Sequence, residues 1–200
     1  MDLTNIIEAL KVRCPSFGAA PNRRFAGAAE FALLEETQSM EFPSAYVVPL
    51  DDEPGDQTSS NGYKQEVRDM FGIIVVFNNK VDERGQTSIA VVRNHIRKEL
   101  FRAILAWSPD EEHDRIQYEG GSLLSVNRAH LYYQFEFSAS TVFQEADTWQ
   151  AVYNAALPEF KRMGIKLDAI DPYDPNLVSI GPDNRIEVHA ELVLSQSQET

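Results

Sequence analysis

Apolar and polar residues alternate most sharply in "RAHLYYQFEFSAST". Ala129, Leu131, Tyr133, Phe135, Phe137 and Ala139 fall on one side, and His130, Tyr132, Gln134, Glu136 and Ser138 on the other. A period of two marks a strand with one buried face. Lys64–Asn78 alternates in the same way through Val67, Phe71, Ile73, Val75 and Phe77. Its second half, Gly72–Phe77, is apolar on both sides, as in a central strand covered twice. Between 87 and 107 the period changes. Ile89, Val92, Ile96, Leu100, Ala103 and Trp107 recur at three and four residues, which predicts an amphipathic helix ended by Ser108-Pro109. Shorter helices are predicted over 26–36, in "WQAVYNAAL" and over 4–13. The last has Thr4 as cap, an apolar face of Ile6, Ile7, Leu10 and Cys14, and Pro15 as its stop. Ala45–Leu50, Arg115–Glu119, Leu123–Val126, Ile165–Ile170 and Arg185–Leu194 read as further strands, with Asn127-Arg128 as a two-residue hairpin turn.

Strands that arrive in hairpins predict an α+β fold, a mainly antiparallel sheet flanked by helices. We expect that domain over 1–145 and a β-rich C-terminal extension over 146–200, a helix plus a hairpin or arm. Two features do not fit a closed monomer. The polar stretch Asp51–Tyr63 reads as a loop, longer than the ~4–6 residues of most connections. And the strand Arg128–Phe143 would span roughly 50 Å, against about 30 Å for the helix Thr87–Trp107. One such helix cannot roof the whole apolar stripe, and an uncovered stripe is an association site.

Composition narrows the function. The chain has 31 acidic and 18 basic residues, a net charge of −13, which argues against a broad nucleic-acid footprint. Hydrophobic residues make up 43% of the 200, enough for a real core. Cys14 is alone, so no disulfide framework is expected and assembly in a reducing cytoplasm is. The polar N-terminal stretch does not read as a signal peptide, and no run nears the ~18 apolar residues of a membrane span.

Catalytic chemistry is not legible. His95, His113, His130 and His189 share no metal-ligand spacing. Cys14 reads as a small buried hydrophobe. Asp168, Asp171, Asp174 and Asn176 step by three residues between prolines, which suits solvated turns better than a calcium loop. "DEEHD" at 110–114 reads as a solvated turn. No catalytic, cofactor or metal residue is assigned. Charge placement says more: Asp51, Asp52, Glu53 and Asp56 sit together in the polar stretch, while Arg93, Arg97, Lys98 and Arg102 share the long helix with Glu99 alone. A basic face and an acidic loop can meet between protomers.

The ordered segments "GAAEFALL", "PSAYVVPL", the polar stretch, "QEVRDMFGIIVVFNN", "DERGQTS", "LAWSP" and "YEGGSLLSVNRAHLYYQFEF" resemble tail terminator proteins of tailed bacteriophages over about residues 3–143. The resemblance implies a structural virion protein with no active site, assembled in the bacterial cytoplasm. It implies a ring of six copies that caps the head-proximal end of the tail tube, stops its polymerisation and joins a head-completion protein. DNA would pass through without specific binding. For subunit contacts we expect Arg93, Arg97, Arg102, Tyr132 and Tyr133, and at the bore or tube-facing rim Asp51, Asp52, Glu53 and Asp56. Two alternatives remain: another tail or neck component, such as a connector or tube-like protein, and a soluble α+β ligand-binding module.

Overall fold

The structure is a computed structural model that describes residues 1–32, 41–79, 86–127, 129–158, 161–167, 186 and 188–193. The chain divides into two compact units, 1–151 and 152–200, with the division inside one short helix.

The first unit begins with α1 (Leu3–Arg13). Its cap is Asp2 rather than Thr4: the Asp2 carboxylate accepts the Thr4 N–H at 2.8 Å. Ile6 and Leu10 are fully buried, as is Cys14 just past the helix, where Pro15 turns the chain. β1 (Phe25–Ala26) and α2 (Ala28–Ala32) follow. The helix expected over 26–36 is seen as α2, and 33–36 lie outside the described residues.

The sheet is built from β2 (Ser44–Pro49), β3 (Glu53–Gln57), β4 (Lys64–Asn78), β5 (Gln117–Val126) and β6 (His130–Gln144), with β1 at one edge. Its order is β1-β2-β4-β6-β5, and β3 adds to β4 beside β2. Every pairing is antiparallel except β1 with β2. This is the α+β architecture that the alternation predicts. The expected strands 115–119 and 123–126 are one strand, β5, which two register shifts carry past Tyr118–Gly120 and Leu123–Ser125. The hairpin turn into β6 is held by Asn127, whose side-chain oxygen accepts the N–H groups of Ala129 and His130. Arg128, half of the expected turn, is outside the described residues.

β4 and β6 share one unbroken ladder, from Lys64 opposite Gln144 to Asn78 opposite His130. Phe71, Ile73 and Val75 of β4 and Leu131, Tyr133, Phe135, Phe137 and Ala139 of β6 point to one face and form the core. Phe137 is its centre: the Phe71 ring stacks on it at 5.5 Å, and Phe101 meets it edge-on at 6.2 Å. The helical cover on this face is α1 together with α3 (Gln86–Val91), a π turn (Val92–Ile96) and α4 (Arg97–Ile104). Val92, Ile96, Leu100, Ala103 and Ile104 are buried in the core. Trp107 lies beyond the helix, contrary to the periodicity. Leu105 turns extended and Ala106 adopts φ 60°, so Trp107 stands on the returning chain, under the Arg13 guanidinium at 4.8 Å.

On the opposite face Ile74 and Val76 are also buried, with Tyr46 beside them and Phe31 on Tyr46 at 5.5 Å. The expectation of a doubly covered central strand therefore holds for the middle of β4. The N-terminal half, Lys64–Met70, for which no such cover is expected, is half-buried or exposed.

In the second unit β7 (Arg162–Leu167) pairs antiparallel with β8 (Val188–Val193), and α5 (Trp149–Ala155) spans the division. These strands carry part of the two predicted over 165–170 and 185–194. Asp168, Asp171, Asp174 and Asn176 lie outside the described residues.

Phe137→Ala should destabilise the first unit by about 3–5 kcal/mol, because it removes a buried ring at the meeting point of sheet and helix. The urea midpoint measures it. A loss under about 1 kcal/mol would mean that this ring is not central to the core.

Candidate functional site: an uncovered sheet with charged faces

The length mismatch is real. β6 is a strand of 15 residues, His130–Gln144, and its last residues run past the core with Val142 40% and Phe143 44% exposed. The matching end of β4 runs with it, Lys64 to Arg68 opposite Gln144 to Ser140. On the other side of β4 lies β3, with Glu53 opposite Arg68 and Gln57 opposite Gln65. The three strands form an arm.

The arm corrects one expectation. Asp51–Tyr63 is not an extended loop: Glu53–Gln57 is a strand and the remainder its turn. Sequence patterning cannot find β3 because all five of its residues are exposed and none alternates by hydrophobicity. Polar bonds hold it. Arg68 pairs with Glu53, and at 3.3 Å with Glu119. The Gln65 side chain donates to Gly55 O at 2.8 Å, and the Gln57 side chain to Ser59 O and Gly62 O. Asp51, Asp52, Glu53 and Asp56 are all exposed on or beside this arm.

At the base of the arm, on the core side, lies a charged cluster. The His113 ring is 8% exposed, with Nδ1 2.7 Å from Asp110 and Nε2 3.0 Å from Asp69. The Met1 amino nitrogen donates to the same Asp69 carboxylate at 2.7 Å. Burial raises the Asp69 carboxyl, but the hydrogen bonds from Met1 and His113 outweigh it and hold it below its usual range. Asp110 is likewise raised by burial and lowered further by His113 and by the N–H groups of Glu112 and His113. In "DEEHD" Glu111, Glu112 and Asp114 are exposed, as a solvated turn requires, while Asp110 and the buried His113 tie the chain after α4 to β4. Cys14 is an inert buried thiol, pushed up to about 12 by burial. His95 is exposed, 3.3 Å from Ser16 Oγ, and no group of His, Cys, Asp and Glu among the described residues is arranged to hold a metal.

The residues expected at subunit contacts separate. Arg93 and Arg102 are exposed and Arg97 half-buried, and none pairs with a carboxylate among the described residues. Arg93 and Arg97 flank a shallow cleft of about 370 Å³ with Ile89, Ala90 and Asn94. Tyr132 is half-buried on the reverse face of the sheet. Tyr133 belongs to the core: it is 7% exposed, packs on Phe135 at 4.9 Å, and donates its hydroxyl to Gly121 O at 3.2 Å. A side chain on Gly121 would strike that ring, its Cβ lying 3.1 Å from Tyr133 and 2.8 Å from the Tyr118 hydroxyl. Sequence reasoning found β5 as two strands but did not name its outer edge as a contact surface, where Leu123, Leu124 and Val126 are exposed by 43, 47 and 45%. Its three apolar residues in "GGSLLSV" were the available signal.

Among the described residues the sheet leaves the edge of β5 and the end of the arm exposed, with unpaired arginines on the helical side and carboxylates on the arm, an arrangement suited to contact with other surfaces. The family model of the phage tail terminator protein matches residues 1–148, and the chain belongs to that family. It is therefore a structural, non-enzymatic component of the phage tail with a role in terminating the tail tube. No curated protein gives a significant match. No helix among the described residues is long and apolar enough to cross a membrane.

Asp110→Asn should lower stability at neutral pH. The folded carboxyl titrates below its ordinary ~3.9, so its contribution is complete above that value and disappears as pH falls through the lower folded value. Urea midpoints from pH 7 to pH 3 should show the wild-type advantage shrinking toward the acid end. An advantage of constant size would contradict the charge origin of the cluster.

Proposed function

We propose that six copies close into a ring that caps the head-proximal end of the tail tube, blocks further addition of the major tube protein, and offers its other side to a head-completion protein. The observation that supports this most directly is the sheet surface that the protomer does not cover. β5 is bonded on one side only among the described residues, and its exposed Leu123, Leu124 and Val126 make an apolar edge. Such an edge is a template for association unless another chain takes it. A ring of head-to-tail copies takes it without leaving ends.

In this reading Arg93, Arg97, Arg102 and Tyr132 lie toward neighbouring subunits, with Tyr133 supporting them from the core. The arm faces the tube or the bore with Asp52 and Asp56, while Asp51 and Glu53 line a groove turned toward a neighbouring copy. Acidic side chains there repel the phosphates of DNA, so the genome passes without specific binding. Termination follows when one side of the ring matches the tube end and the other does not reproduce it. The extension 146–200 is a separate appendage in this scheme, and assembly takes place in the host cytoplasm before the tail joins the head.

Electron microscopy of the purified protein with growing tail tubes tests this. Six-fold rings at one end of tubes of uniform length are expected. Removal of 52–61 should leave a folded protein, since that stretch has no buried residue, yet tubes should grow well beyond the wild-type length. Tubes of normal length with the shortened protein would remove the arm from the capping mechanism.

A further inference from the structure

The reverse face of the sheet carries a groove where the helices do not reach. It has a volume of about 510 Å³ and lies between the end of β2 and the β4–β6 ladder, lined by Pro49, Leu50, Asp51, Glu53, Met70 and the pair Gln134 and Glu136. Glu136 and Met70 point away from the core side, since their neighbours Phe137 and Phe71 point into it. Three carboxylates therefore converge on one concave surface. Among the described residues Arg68 forms ion pairs with Glu53 and Glu119. Asp51 and Glu136 have no cationic partner among the described residues; Glu136 accepts one bond, from the Gln134 side chain at 2.8 Å.

The matching surface is the exposed side of α3, the π turn and α4. Arg93 and Arg97 stand one helical step apart beside Asn94, with no carboxylate paired to either among the described residues. That helix packs on the core face of the sheet through Val92, Ile96 and Leu100. The arginines and the groove are therefore on opposite sides of the same protomer. They cannot meet within one chain. Between copies they meet only head to tail, the geometry that closes a ring rather than a two-fold dimer.

We propose that in the ring Arg93 and Arg97 of one protomer dock into the Asp51, Glu53 and Glu136 groove of the next copy. The proposal rests on the ring reading above and names its contact. Charge complementarity selects the occupant: a protein with net charge −13 repels its own copies at a distance, so local opposite charge must set the approach. The contact weakens with salt, as charge pairs at a rim do.

Two charge-reversed full-length proteins test it, R93E/R97E and D51R/E136R, with D51R alone as a milder variant should the second fold poorly. Thermal melts establish folding, and sedimentation with negative-stain imaging counts rings, with and without tail tubes. Each variant by itself should lose about tenfold or more of its rings, as expected when paired charges become like charges. An equimolar mixture of the two should recover them, because every interface in an alternating ring again joins opposite charges. Rings that persist in both single variants, or that stay lost in the mixture, overturn the contact while leaving a six-membered ring possible through other surfaces. Rings absent from the wild type, both alone and on tubes, overturn the ring reading and this contact with it.

Discussion

The antiparallel ladder between β4 and β6 is the constraint on which the rest of the molecule depends. It fixes Phe71 beside Phe137 and thereby places the ring that Phe101 of the helical layer meets edge-on. The same register, continued without a break, carries both strands out of the core. The alternation of side chains follows them outward. The face that holds Phe135 and Phe137 inside the core continues as Thr141 and Phe143 outside it. A single backbone geometry thus yields a packed interior at one end and an unfinished surface at the other.

That division explains what could be read from residue order. β4, β6 and the core stripe are legible because burial on one face imposes a period of two, and the long helix because it imposes a period near four. The helix termini were less legible, since Trp107 keeps the apolar spacing while the backbone has already turned at Ala106. β3 left no mark because hydrogen bonds to β4 and an arginine pair, not burial, hold it in place. The Asp69–His113 contact joins residues 44 positions apart, and no local pattern announces it. Tyr133 shows the reverse difficulty: its place on the apolar side was plain, and that same place buries it in the protomer's own core.

Membership of the tail terminator family gives these surfaces a purpose. The cavities described above are grooves at the surface, lined by arginines or by carboxylates rather than by a convergent catalytic set. Among the described residues Arg93, Arg97 and Arg102 stand on the helical side, and Asp51, Glu53 and Glu136 line the groove of the reverse side. Such segregation encodes polarity: each subunit has a distinguishable front and back before any neighbour arrives.

The continuous ladder has a mechanical consequence. A pull along the arm loads its backbone hydrogen bonds side by side, in shear, and they must yield together. A sideways peel at the edge would open them one after another, at far lower force. Two strands common to core and arm let a lengthwise pull pass into the body of the first unit without a hinge.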